Sequence, residues 1–242
     1  MGDNGTARVL FVQHQDDCPP GHVGDRVRQR GAEVEVVRVR AARLPDPTNF
    51  DLIVPLGCYD SAYDESLPYL GREWDLLAVA VASDVPVFGI CFGAQLLSRV
   101  LGGEVRPAPD GPEIGWIEID TADTASGDTT SRTGDTVGPG PWLVWHLDVM
   151  TPPPDGRELA WSSVGTQAFS HGKHLGVQFH PEATVESALS WAEHHRDLLP
   201  AAGTSYDEIT AATRRLAADA PRRAYELTDR VLDRALRRGG VP

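Results

Sequence analysis

The chain has three cysteines in 242 residues. One of them, Cys91, stands where a strand-like run meets a helix-like one. The run "VPVFGIC" (85–91) is apolar and of strand length. "FGAQLLSRVLGG" (92–103) carries Leu96, Leu97, Val100 and Leu101 at helical spacing and stops at a glycine pair. A cysteine at such a junction is either a small buried hydrophobe or a nucleophile presented by bent backbone. The flanking pattern Gly-x-Cys-x-Gly is the cysteine counterpart of the Gly-x-Ser-x-Gly nucleophile elbow. Gly89 and Gly93 permit a turn too tight for side chains, and the thiol then stands at the carboxyl end of a sheet. The N–H groups opening the following helix favour a thiolate, and the amide of Phe92 is placed to donate to an oxyanion.

A nucleophilic thiol needs a base. "GVQFHPEAT" (176–184) supplies a strand ending in His180, followed by Pro181 and Glu182. Residues two apart in an extended chain face the same way, so Glu182 is expected to orient His180 and stabilise its imidazolium. Cys91, His180 and Glu182 thus read as nucleophile, general base and acid, and orienting carboxylate. His14, His22, His171, His174, His194 and His195 read as surface or hydrogen-bonded residues. The chain has no paired Cys/His spacing of the kind that holds a metal ion and no Gly-rich nucleotide loop. Neither metal nor cofactor is expected.

The elements that must position these groups change character along the chain. In the front half, "RVLFVQH" (8–14) is a short apolar run and "AEVEVVRV" (32–39) alternates at period two. "DLIVPLG" (51–57) is an apolar run ended by a glycine, and 67–82 has helical length. Strands alternating with helices predict a mostly parallel sheet covered on both faces. The back half has short strand-like runs at 113–120, 142–146, 158–163, 166–171 and 174–180, an antiparallel layer or edge extension of the same domain. The Thr/Gly/Asp-rich stretch 121–140 reads as an exposed, mobile loop. After a helix over 185–195, Ser205 opens a capped helix with Asp207 and Glu208 in its first turn. Pro221 suits the first turn of another helix, whose stripe is Ala224, Leu227, Val231, Leu232, Ala235 and Leu236. This pair is expected to pack on the domain's own surface, the alternative being a docking surface for a partner or a second copy. The expected division is a catalytic domain over 1–198 and a helical extension over 199–242.

Bulk properties exclude several function classes. A net charge of −13 argues against a nucleic-acid partner. No run of about 18 apolar residues exists to span a membrane. The first residues show no basic, apolar and small-residue succession of a secretory signal. Three cysteines without close spacing make no disulfide framework. A reducing cytoplasm fits best.

"GICFGAQ" with a downstream "GVQFHPE" resembles the class I glutamine amidotransferases, particularly the stand-alone members similar to GMP synthetase. "LGCYDSAYDE" (56–65), "EIGW" (113–116), "WHLD" (145–148) and "QAFSHG" (167–172) resemble family segments in family order, over about residues 9–192. The resemblance implies a doubly wound α/β fold of flavodoxin-like kind, with a mostly parallel sheet and a small antiparallel extension. It also implies attack of the cysteine on the glutamine side-chain amide, release of ammonia and hydrolysis of a γ-glutamyl thioester. Gly57 and Phe92 would supply oxyanion N–H groups. Gln95 and Cys58 would contact the substrate, and Trp145 and His146 would line its α-carbon end.

One departure stands out: the family usually has Gly-Gly-Pro where this chain has Gly57-Cys58-Tyr59. A side chain at a glycine position restricts the backbone. The expected consequences are an altered substrate, slower glutamine hydrolysis, or activity only after a partner reshapes the loop. The resemblance places Cys58 near Cys91, so an oxidative crosslink between them is an expectation beside the plainer one of a free buried thiol. Three functions follow. The leading one is a glutaminase supplying ammonia to a separate synthase. The others are a γ-glutamyl hydrolase acting on an amide or peptide, and a non-catalytic scaffold or regulatory subunit. The chain has no segment for activating an acceptor, so an ammonia acceptor is expected on another chain.

Overall fold

The computed structural model describes residues 6–41, 43–121 and 137–236. The first unit is β1 (Arg8–Gln13), α1 (Gly21–Gln29), β2 (Glu33–Arg38), β3 (Leu52–Pro55), α2 (Leu70–Ala82), β4 (Phe88–Ile90) and α3 (Phe92–Val100). Short strands follow: β5 (Val105–Pro107), β6 (Glu113–Ile117), β7 (Asp120–Thr121), β8 (Trp142–His146), β9 (Asp148–Met150), β10 (Arg157–Trp161), β11 (Thr166–His171) and β12 (His174–Val177). Three helices close the described chain: α4 (Val185–His194), α5 (Tyr206–Leu216) and α6 (Ala220–Ala235).

β1 lies between β2 and β3, parallel to both. A parallel bridge from Ile53 to Val87 leads from β3 to β4, and β4 pairs parallel with β12. β12, β11, β10 and β7 continue antiparallel, while β5–β9 and β6–β8 form separate antiparallel ribbons. The fold is α/β, mostly parallel with an antiparallel extension.

Strand alternation decides which helices cover which face. Val9, Phe11, Leu52 and Val54 pack with Val23 and Val27 of α1 and with Leu227 and Val231 of α6. Leu10, Val12 and Ile53 point the other way, onto Leu76 and Leu77 of α2 and Leu96 and Leu97 of α3. Ala224, Leu227, Val231 and Leu232 of the α6 stripe are therefore buried on this chain's own fold, while Ala235 is partly buried and Leu236 is exposed. The flank of α6 is tied to α1 by Arg26, which donates to both carboxylate oxygens of Asp229 (2.8 and 2.7 Å), and by Arg30, which reaches Asp229 and Asp233 (2.7 Å each). Ser205 caps α5: its hydroxyl accepts from the Glu208 amide and donates to the Glu208 carboxylate. Ile209 of α5 packs with Ile114, Leu143, Trp145 and Trp191.

Some expected elements are shorter than their apolar runs. The strand over 174–180 stops at Val177, because the chain then turns toward β8, where the His180 amide donates to the Leu143 carbonyl at 2.8 Å. The run 113–120 divides into β6 and β7, which join different partners. Residues 122–136 of the expected loop lie outside the described residues. Among the described residues no helix is long and apolar enough to cross a membrane.

Candidate active site

The turn from β4 into α3 builds the elbow. Cys91 has φ 51° and ψ −110°, a positive-φ conformation that costs a non-glycine residue about 1–3 kcal/mol. Packing holds it there. The Cys91 amide donates to the Val177 carbonyl of β12 at 2.8 Å. A Cβ on Gly93 would lie 2.1 Å from the Pro55 carbonyl oxygen, and one on Gly89 2.6 Å from that of Gly93. The α3 ladder begins with the Gln95 amide donating to the Cys91 carbonyl at 2.9 Å. The Phe92 amide precedes that ladder and has no intrahelical acceptor.

His180 stands beside the thiol in the turn after β12, not in a strand. Its Nδ1–H donates to Glu182 Oε1 at 2.7 Å, and Nε2 lies 3.4 Å from the Trp145 carbonyl oxygen, which also faces Cys91 Sγ at 3.7 Å. Both side chains are buried, and the imidazole packs edge-on against Trp191. Burial alone would lower the His180 pKa. The Glu182 carboxylate and the Cys91 sulfur outweigh it and hold the imidazole well above its ordinary range. Gly57 closes the other side: a Cβ there would be 2.9 Å from His180 Cε1 and 3.4 Å from Cys91 Cβ.

Cys18, Cys58, Tyr59, Cys91, Trp145, His180 and Trp191 line one small cavity. Tyr59 donates to Asp17 at 3.2 Å and its ring lies 4.1 Å from that of His195. Cys58 Sγ is turned to the Tyr69 hydroxyl (3.5 Å) and accepts from the Asp60 amide (3.2 Å). All three cysteines are free thiols. Burial pushes the Cys18 and Cys58 thiols far up.

The structure therefore brings Cys91, His180, Cys58 and Trp145 to one cavity, with Glu182 bonded to His180 and Gly57 close against His180 and Cys91. Phe92 opens α3 with its ring buried against His14. Gln95 is buried behind the thiol, its amide nitrogen 3.2 Å from the Asp148 carbonyl oxygen and 3.1 Å from Gln178 Oε1. His146 is not among the lining residues. Its Nε2 pairs with Glu113 at 2.9 Å, and Gln167 donates to the same carboxylate at 2.7 Å. Sequence reasoning passed over Cys18, Trp191 and Gln178. Only Gln178 carried a signal, lying two residues before His180 in the quoted motif; Cys18 and Trp191 arrive from distant segments. Among the described residues no group of acidic, His and Cys side chains could hold a metal ion.

Comparison with known proteins gives a consistent result. The glutamine amidotransferase class-I family matches residues 22–190. The chain is 37% identical over 112 residues to one subunit of a glutamine-hydrolysing GMP synthase from Methanococcus vannielii, covering 44% of this chain and 55% of that one. It is 32% identical over 136 residues to a glutamine-hydrolysing GMP synthase from Lacticaseibacillus casei, covering 54% of this chain and 24% of the relative. The chain thus spans about a quarter of that synthase. The structure superposes on a crystal structure of a glutamine amido transferase from Methylobacillus flagellatus with a TM-score of 0.84 and 26% identity, covering 98% of both chains. The chain belongs to the class I glutamine amidotransferase family.

Proposed function

We propose that this class I glutamine amidotransferase hydrolyses the side-chain amide of glutamine through a thioester on Cys91 and supplies the ammonia to a separate synthase. The observation that carries the reading is the cavity in which Cys91, on a positive-φ elbow, stands beside a His180 held by Glu182. Cys91 Sγ attacks the amide carbon. The oxyanion is met by the amides of Phe92 and Gly57. His180 carries the proton between the sulfur and the departing ammonia, while Glu182 fixes its Nδ1–H and stabilises the imidazolium. Water activated by His180 then cleaves the thioester, giving glutamate and restoring the thiol. Cys58 and Trp145 are placed to contact the substrate.

The separate synthase rests on the printed names of the relatives, which include one subunit of a GMP synthase, and a synthase about four times the matched length. Free thiols around one cavity suit a reducing cytoplasm.

The test is glutamate release from glutamine by the purified chain beside Cys91→Ala. Turnover that disappears in the variant supports the reading. Turnover of a γ-glutamyl amide with glutamine inert replaces it by a γ-glutamyl hydrolase. Neither activity, with or without a co-purifying synthase, leaves a scaffold or regulatory subunit.

A further inference from the structure

Beside Cys91 lies an amide pair that the triad does not use. Gln178 is fully buried and Gln95 nearly so. Gln178 Nε2 is 3.6 Å from Cys91 Sγ, and Gln178 Oε1 is 3.1 Å from Gln95 Nε2. The same Gln95 nitrogen lies 3.2 Å from the Asp148 backbone carbonyl oxygen.

The direction of this chain is forced. A backbone carbonyl only accepts, so Gln95 must present its NH2 group to Asp148. The second hydrogen of that group faces Gln178, which must therefore offer its oxygen. The Gln178 NH2 is left for the sulfur. Gln178 has no torsional alternative that keeps both contacts, because exchanging its oxygen and nitrogen would oppose two NH2 groups and leave buried donors unpaired.

We propose that Gln178 is a catalytic residue of this site, an N–H donor to the Cys91 thiolate, and that Gln95 is a positioning residue that locks the Gln178 amide in the donating orientation. The proposal rests on Cys91 being the nucleophile. It gives the thiolate two supports: a cation, His180, whose charge is spent when the proton moves to the leaving group, and a neutral donor that persists through the cycle. A neutral donor stabilises the sulfur anion before attack and again when the thioester breaks, without competing for the proton. Gln95 takes the positioning role through its amide nitrogen, which is engaged by the protein.

The Trp145 carbonyl oxygen faces the sulfur at 3.7 Å, and the titratable groups around it come from three segments. His180 with Glu182 comes from the turn after β12. Cys18 and Tyr59 come from the loops after β1 and β3, and Cys58 lies beside Tyr59. Any shift in the pH behaviour of Cys91 must be measured against these unchanged neighbours.

The experiment is the pH profile of Cys91 alkylation by iodoacetamide, read by intact mass on the full chain, for the parent, Gln178→Met, Gln178→Glu and Gln95→Leu. Unfolding midpoints report whether each variant is folded. Gln178→Met keeps the volume and removes the donor. Gln178→Glu keeps an acceptor for Gln95 but sets a carboxylate beside the sulfur, so its midpoint must rise further than that of Gln178→Met, and Gln95→Leu, which leaves Gln178 in place, carries the test if the methionine variant does not fold. The expected result is an alkylation midpoint raised by about one pH unit in Gln178→Met, as for loss of one hydrogen bond to a charged group, and by more in Gln178→Glu. A smaller shift of the same sign is expected in Gln95→Leu. Unchanged midpoints in the Gln178 variants overturn the proposal. A Gln95→Leu variant with a raised KM and an unmoved midpoint overturns the positioning role and returns Gln95 to the substrate. Alkylation needs no glutamine turnover, so the two readings fail separately. A chain that shows these shifts but never hydrolyses glutamine keeps the amide relay and sinks the glutaminase.

Discussion

Two buried histidine–glutamate pairs in this molecule look alike and are built differently. His180–Glu182 is 2.7 Å long and His146–Glu113 is 2.9 Å, and the side chains of both are almost wholly out of water. The difference is which ring nitrogen faces the carboxylate. His180 gives Nδ1 to Glu182 and turns Nε2 toward the sulfur and the Trp145 carbonyl. His146 gives Nε2 to Glu113, and its buried Nδ1 has no hydrogen-bond partner among the described residues. A third pair, His14–Glu73 at 2.8 Å, repeats the His146 arrangement. A histidine–carboxylate pair is thus a common way to bury two polar side chains. It becomes acid–base machinery when the free nitrogen meets a reacting atom.

The comparison breaks most visibly in kinetics. Cys91→Ala is expected to reduce glutamate release at least about 10⁴-fold, and His180→Asn about 10³-fold. Glu182→Gln, which keeps the shape but weakens the hold on Nδ1–H, is expected to cost about 10²-fold. Steady-state assays at fixed pH check the series, and any of these variants with parental kcat would remove that residue from the mechanism. The sister pair should respond in stability instead. Glu113→Leu leaves His146 and Gln167 without their shared acceptor, and a loss of about 3 kcal/mol in urea unfolding is expected. KM for the folded variant should stay within about twofold of the parent. A raised KM with unchanged stability would bring His146 back to the substrate.

A subtler test compares titrations. His180 is held above its ordinary range, so its stabilising contribution is fully present below about pH 6.5 and is lost as pH rises through the folded value. Cys91→Ala removes one of the groups that raise it, and the His180 ring signals in an NMR titration should move at lower pH in the variant. An unmoved titration would show that the sulfur carries no weight there. His174 has the opposite sign. Burial, then the neighbouring His171, lowers its pKa to about 4. Its contribution is present above about pH 6.5 and lost as pH falls toward the folded value. His174→Gln should flatten the acid limb of the stability curve over that window, and an unchanged limb would assign the loss to other groups.

Much of this was readable in the residues, for a definite reason. The elbow is decided within five positions, since Gly89 and Gly93 meet neighbouring backbone that no side chain could approach. Capping at Ser205 is equally local. The α6 stripe was legible as a stripe, but its burial against β1 and β3 was not, because helical spacing tells which face is apolar and not what covers it. The extended geometry invoked for His180 and Glu182 was the wrong reason for a correct contact, since the strand ends at Val177 and the pair forms in the turn.

By itself the sequence determined the Gly-x-Cys-x-Gly elbow, the His-Pro-Glu turn and the alternating order that builds a parallel sheet. Each depends on sterics and hydrogen bonds between residues close along the chain. Only the tertiary structure decided that Cys18, Trp191 and Gln178 join Cys91 and His180, that His146 does not, and which way the two glutamine amides point. Those choices depend on the parallel pairing of β4 with β12, which brings Cys91 against Val177 and so sets Gln178 and His180 about the sulfur. Such a register is fixed by packing across the whole core, and no short stretch of residues encodes it.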